Sequence, residues 1–221
     1  MQNSSFATAR KTMVDCQLRP SKVTDQFILD AFMTIPREKF VGKQQRALAY
    51  VDEDLPLSGG RCLMEPMVLA RLLQALKIRP DDNLLIVGAG CGYGTAVTAK
   101  LAGSVIAIET RANLVEKAQD VLVSIGIDNA AIVKSRLVDG YPDEGPYDRI
   151  LIEGGVEIVP DNLLKQLTPM GRLAAIYRKS GHPVGVASLW TRSGKYFTRT
   201  PLFDARVPNL DEFSARVEFS F

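Results

Sequence analysis

Asn83-Leu84-Leu85-Ile86-Val87-Gly88-Ala89-Gly90-Cys91-Gly92-Tyr93-Gly94 is the stretch from which the fold of this chain is read. Its first part is a continuous apolar run without polar alternation, the pattern of a strand buried on both faces of a parallel sheet. It runs straight into a glycine-rich turn. Glycine is needed where the backbone takes positive φ and where a ligand approaches the chain closely. Residues 93–101 then read as a helix. In an open α/β sheet such a turn lies at the carboxyl end of the first strand, where ligands bind.

The alternation continues along the chain. Residues 104–108 form a second apolar strand closing on Glu109, and 111–125 a helix with Leu114, Ala118, Val121, Leu122 and Ile125 on one face. Strands follow at 130–133, 147–152 and 172–177, with a helix at 161–167. Apolar strands separated by amphipathic helices give the α/β class: a Rossmann-like, mostly parallel sheet covered on both faces. Residues 184–190 and 216–221 read as strands with no helix between them, an antiparallel C-terminal edge. Upstream, Leu69, Leu72, Leu73 and Leu76 mark a helix over 67–76, with Pro66 at its first position. Phe27, Ile28, Ala31 and Phe32 mark another over 23–32, capped by Thr24 or Ser21. Residues 50–60, with acids, Pro56 and a Gly-Gly pair, read as a loop.

The composition is that of an ordinary globular chain: 221 residues, 46% hydrophobic and 24% charged. Lys+Arg 27 against Asp+Glu 25 leaves a net charge of +2, no general electrostatic reason to bind nucleic acid or an acidic membrane. Cys16, Cys62 and Cys91 are far apart, which suggests neither a disulfide framework nor a zinc site. The single histidine, His182, stands between Gly181 and Pro183 and reads as a solvated loop residue rather than a catalytic one. The first ten residues lack the apolar core of a signal peptide, and no apolar run is long enough to span a bilayer. A reduced, cytoplasmic setting is expected, with no membrane partner and no metal.

Glu109 stands nineteen residues past Gly90, where a carboxylate can accept bonds from both ribose hydroxyls of a nucleoside. Asp139, just past the third strand, is placed to reach the adenine edge. A dinucleotide fingerprint requires G-x-G-x-x-G, but its third glycine position is Tyr93 here; the pattern present is G-x-G-x-G. This favours a nucleoside cofactor without phosphates, S-adenosylmethionine, over NAD.

Several further stretches bear a family likeness: Ile35-Pro36-Arg37-Glu38-Lys39-Phe40-Val41, Ala49-Tyr50-Val51-Asp52, Leu55-Pro56-Leu57, Val138-Asp139-Gly140 and Leu167-Thr168-Pro169-Met170-Gly171-Arg172-Leu173. With the Gly88–Tyr93 turn, they make residues 10–177 resemble the protein-L-isoaspartate O-methyltransferases. The resemblance implies a seven-strand methyltransferase sheet with an N-terminal helical addition. It also implies bound S-adenosylmethionine and methyl transfer to an isoaspartyl carboxylate of a protein or peptide. On that basis the chain is one methyltransferase domain over 1–221, with 1–80 the helical and substrate-loop part and 81–221 the cofactor-binding core. Gly88, Ala89, Gly90, Cys91 and Gly92 would wrap the cofactor's methionine part, Glu109 would hold the ribose and Asp139 would lie near the adenine.

Two positions depart from the family pattern. Ile86 stands where the family has an acid two residues before the first glycine. The substrate loop, which resembles Gly-Gln-Thr-Ile-Ser-Gln-Pro, is here Gly60-Arg61-Cys62-Leu63-Met64-Glu65-Pro66. Met64 replaces the serine expected to bind the substrate carboxylate, and has no useful donor. Glu65 would repel that carboxylate unless Arg61 or a bound cation offsets its charge. Cys62, Met64 and Glu65 are the candidate acceptor-site positions. Met64 also reads as a packing residue filling an irregular gap, and Cys91 as a small residue beside the cofactor. Two alternatives follow: the same fold with another acceptor, an amine or hydroxyl recruited by Glu65, or a catalytically degenerate cofactor-binding module. Phe203, Phe213, Phe219 and Phe221 read as core aromatics of a C-terminal part, 178–221, whose role the sequence leaves open.

Overall fold

The computed structural model describes residues 2–215. Along the chain run α1 (Gln2–Met13), which continues as a wider turn over Val14–Leu18, then α2 (Gln26–Thr34), β1 (Leu55–Pro56), β2 (Cys62–Leu63) and α3 (Pro66–Leu76). The alternating part comprises β3 (Asn83–Val87), α4 (Tyr93–Ala99), β4 (Ser104–Glu109), α5 (Ala112–Ser124), β5 (Ala130–Lys134), β6 (Tyr147–Val156), α6 (Asp161–Lys165) and β7 (Leu167–Tyr177). Two long strands, β8 (Gly185–Ser193) and β9 (Tyr196–Ala205), follow.

Among the described residues, seven strands form one sheet in the order β5-β4-β3-β6-β7-β8-β9. The pairs from β5 to β7 are parallel, and those of β8 with β7 and with β9 are antiparallel. Strand period 2 explains how the apolar run of β3 serves both faces. Leu84 and Ile86 join the core beneath α3, α4 and the N-terminal helices, and Leu85 and Val87 join the opposite core with Leu163, Leu164 and Leu167. Ile86 is fully buried there, so the missing family acid is a core side chain in this protein.

The order of β4, β3 and β6 positions the site. The chain leaves β3 towards β4 on one side, while β6 lies on the other. Connections from the carboxyl ends of β3 and β6 therefore diverge, opening a crevice at the topological switch point. Gly88 follows β3 there, and Glu153 to Gly155 lie near the end of β6.

Several sequence expectations are corrected. Among the described residues the C-terminal antiparallel edge is made by β8 and β9; the strand expected over 216–221, with Phe219 and Phe221, lies outside them. The helix expected over 161–167 ends at Lys165, because Leu167 already pairs with Tyr147 in the sheet. The cap of α2 is neither Thr24 nor Ser21 but Asp25, whose side chain accepts from the amides of Phe27 and Ile28. The loop over 50–60 is tied down by β1 pairing with β2. Phe213 is buried, and Phe203 is half-buried under the Arg71 guanidinium, 3.6 Å from its ring centroid. Among the described residues, no helix is long and apolar enough to cross a membrane.

Candidate functional site

The glycine turn has the backbone that its sequence requires. Gly88, Gly90 and Gly92 take φ of +82°, +54° and +84°. The amides of Gly88 and Ala89 both donate to the Ile108 carbonyl, at 2.9 and 3.1 Å, which stitches the turn to the end of β4. Gly92 then caps α4 in a left-handed conformation that a side chain would strain. A Cβ on Gly92 would also sit 2.9 Å from that of Ala118 on α5.

Glu109 ends β4 with its side chain fully buried and turned towards this loop, and its Oε2 accepts from the Gly90 amide at 3.1 Å. Its Oε1 accepts from the amides of Thr110 and Arg111, at 2.8 and 3.1 Å. The carboxylate points where the sequence places it, but it is not free. Arg61 reaches across from the loop before β2 and donates to both oxygens, Nε to Oε2 at 3.0 Å and Nη2 to Oε1 at 3.1 Å. The same guanidinium grips Glu212 with Nη2 at 2.8 Å and Nη1 at 3.3 Å. Burial works against charge on both partners of this second pair. Their mutual hydrogen bonds prevail, raising the Arg61 pKa and lowering that of Glu212. Arg61 thus does not offset Glu65, as its sequence neighbourhood suggested; it neutralises Glu109.

A second intrusion comes from the C-terminal segment. Gly155 donates to Pro208 and Leu210 donates to Gly155, at 2.8 and 2.9 Å, laying residues 208–210 along the end of β6. Leu210 is thereby pressed into the crevice. Its Cδ1 would be 3.1 Å from a Cβ on Gly88, and its Cγ 2.5 Å from one on Gly154. From the other side, Leu57 Cδ1 lies 3.4 Å from where a Cβ of Gly90 would be. Bare backbone and a strand-end carboxylate suit a nucleoside, and these residues fit one in kind. In this conformation the protein's own Arg61 and Leu210 stand in the cradle.

The acceptor-loop positions separate. Met64 is buried at 1% exposure in the core, and its carbonyl accepts from the buried Arg37 guanidinium at 2.7 Å. It is a packing residue. Cys62 is half-buried and Cys91 buried; burial raises the pKa of both thiols, that of Cys91 to about 12, so neither is poised as a thiolate. Glu65 lies on a hollow of about 510 Å³ lined by Asp52, Glu53, Asp54, Arg178 and Arg206. Burial, followed by the charges of Asp52, Asp54 and Glu53, pushes its carboxyl up to about 7. Asp139 is exposed in a short turn and pairs with Arg136 at 3.4 Å. His182 is exposed in a turn.

Glu153 was not singled out from the sequence. It sits on β6 facing the turn, is 8% exposed, and its Oε1 has no hydrogen-bond partner among the described residues. The available signal was an acid closing an apolar strand, as Glu109 does, here followed by the glycine pair Gly154-Gly155. Glu212 and Leu210 carried no such signal, since only the tertiary fold brings them to the turn.

A parallel sheet with a glycine turn after its central strand, a carboxylate ending the next strand and a crevice at the switch point is the layout of a Rossmann-like methyltransferase. The model of the protein-L-isoaspartate(D-aspartate) O-methyltransferase family matches residues 9–183. The chain is 35% identical over 207 residues to protein-L-isoaspartate O-methyltransferase 1 of Rhodopseudomonas palustris (strain HaA2), covering 94% of this chain and 81% of that protein. It is 39% identical over 170 residues to protein-L-isoaspartate O-methyltransferase of Methylorubrum extorquens (strain PA1), covering 76% and 73%. A solved protein-L-isoaspartate O-methyltransferase superposes with a TM-score of 0.81 at 25% identity, over 91% of this chain and 65% of that one. This protein belongs to the protein-L-isoaspartate(D-aspartate) O-methyltransferase family.

Proposed function

We propose that this protein is an S-adenosylmethionine-dependent O-methyltransferase acting on protein or peptide substrates, and that its acceptor is the carboxylate of an isoaspartyl residue. The observation that carries the reading is the Glu109 carboxylate bonded to the Gly90 amide across the positive-φ turn. That arrangement sets a buried acceptor beside bare backbone at the switch point of the sheet. Family membership supplies the class of cofactor and acceptor.

In this reading the backbone of Gly88, Ala89, Gly90, Cys91 and Gly92 borders the methionine part, Glu109 takes the ribose hydroxyls, and Asp139 lies towards the adenine. When bound, S-adenosylmethionine supplies an electrophilic methyl group on a sulfonium. The protein's task is alignment and exclusion of water. A carboxylate acceptor is already ionised at neutral pH and needs no general base, so a solvent-facing His182 is consistent with the chemistry.

One observation favours a second reading, with an amine or hydroxyl as acceptor. The hollow beside the loop carries four acids, Asp52, Glu53, Asp54 and Glu65, against Arg178 and Arg206. Such a rim attracts a cation more readily than a carboxylate. Incubation with methyl-labelled S-adenosylmethionine and an isoaspartyl peptide decides between the two. A base-labile methyl ester on the peptide supports the carboxylate. A base-stable label on a lysine- or serine-containing peptide, with none on the isoaspartyl peptide, supports the second reading.

A further inference from the structure

We propose that Arg61, Glu109 and Glu212, with Leu210, form a clasp that closes the cofactor cradle, and that S-adenosylmethionine enters only when this clasp opens. The inference rests on the cofactor reading above and adds a competition to it: the cofactor's sugar and Arg61 claim the same carboxylate.

The clasp joins parts of the chain that are remote in sequence. Arg61 and Glu212 are 151 residues apart, and Arg61 and Glu109 are 48 apart. All three meet beside Thr110, whose hydroxyl takes part in contacts to both Arg61 and Glu212, at 3.0 and 3.2 Å. The Arg61 and Glu109 side chains are 3% and 0% exposed, so a ligand cannot reach Glu109 past the guanidinium. Glu109 keeps three backbone amides in any case, those of Gly90, Thr110 and Arg111. The carboxylate therefore stays in place when the arginine leaves.

Both jaws have the means to move. Arg61 follows Gly59 and Gly60, which take φ of +70° and +75°, and a Cβ on Gly60 would meet none of the described residues within 4 Å. On the other side, Glu212 is 27% exposed and Leu210 is held to β6 by a short bridge at Gly155 and Asn209 rather than by a full strand. The Arg61–Glu212 limb is the weaker one, because solvent reaches Glu212 and partly screens the pair. Leu210 is the part that must also withdraw, since it lies against Gly88 and Gly154, the backbone that the cofactor would approach.

The energetic consequence is conformational competition. If only the open form binds, the apparent Kd equals the intrinsic value divided by the open fraction. Loosening the clasp then tightens binding without adding a contact to the ligand.

The test is calorimetry with S-adenosylmethionine on the full chain, using wild type, Arg61→Gln and Glu212→Gln, with circular dichroism to confirm that each is folded. The expected result is tighter binding in both variants, by about ten-fold or more for Arg61→Gln and by less for Glu212→Gln. Backbone hydrogen exchange is the second readout. On adding S-adenosylmethionine to the wild type, the Leu210 amide, which donates to Gly155, should exchange faster although a ligand has bound. Equal Kd values in all three proteins, or weaker binding in the variants, overturn the clasp and leave the cofactor reading intact. Slower exchange at Leu210 on ligand addition also overturns it. Absence of S-adenosylmethionine binding in all three folded proteins, the wild type included, overturns the cofactor reading itself, and the clasp with it.

Discussion

The carboxyl group of Glu153 occupies the space that a side chain on Gly94 would need: Oε1 would lie 2.0 Å from a Cβ there. Gly94 is the second residue of α4, so the helix is open at this point to admit an acid from β6. That acid is buried, and its Oε1 has no partner among the described residues. Burial, opposed by Arg37 and reinforced by the charge of Glu109, pushes Glu153 up to about 8.

A pH dependence follows. The folded-state pKa of Glu153 lies above its ordinary value of 4.5. The protonated group's contribution to stability is complete below that ordinary value and is lost as pH rises through about 8. Glu153→Gln removes this slope. Relative to wild type, the variant should gain stability with rising pH at up to about 1.4 kcal/mol per pH unit within the window and no further above it. Denaturant unfolding on either side of the window checks this; a difference independent of pH would rule it out.

The Glu153–Gly94 fit also predicts a coupling. Gly94→Ala should destabilise by about 1–3 kcal/mol through overpacking. Most of that cost should disappear when Glu153 is Ala as well, because the new methyl then meets no carboxyl. A double-mutant cycle measured by thermal or denaturant unfolding gives the answer. Strictly additive losses would mean that the helix, not the acid, resists the methyl.

How much of this was legible in the sequence depends on the range over which the residues interact. The strand, turn and helix at 83–101 and the strand ending in Glu109 were readable because a continuous apolar run and clustered glycines are local signals. Strand β9 was missed because most of its residues are exposed and Pro201 interrupts it, which erases the period-2 alternation. The partner of Glu109 was also out of reach: nothing local says that Arg61 crosses to it or that Leu210 returns to Gly88. Met64 was legible only as a pair of alternatives, and its burial selects packing.

That burial changes what the acceptor loop should do when mutated. Met64→Ser places its hydroxyl in the core rather than in the hollow, and should cost about 2–5 kcal/mol without raising esterification of an isoaspartyl peptide. Glu65→Gln acts differently, since Glu65 lines the acidic hollow. Its carboxyl is pushed up to about 7, so at lower pH the wild type is already neutral there and resembles the variant. Above that value the wild type becomes anionic, and Glu65→Gln should methylate the isoaspartyl peptide faster, with the advantage growing as pH rises. Label transfer measured across the transition tests this; an advantage that is the same at all pH values would remove charge as the cause.

The Arg61–Glu109 pair lends itself to the sharpest separation of stability from binding. Removing one partner of a buried ion pair leaves the other charge desolvated, and Glu109→Ala should cost about 3–5 kcal/mol. It also strips the Gly90 amide of its acceptor, a second loss that Arg61→Gln does not share. Replacing both partners, Arg61→Met with Glu109→Leu, removes the charges together and should recover much of the stability lost in Glu109→Ala. Cofactor binding should not recover, because the ribose hydroxyls would then face a leucine. Denaturant unfolding and calorimetry on the same two proteins separate the effects. If the double replacement restores both stability and S-adenosylmethionine binding, Glu109 is a structural counterion to Arg61 and not the residue that holds the sugar.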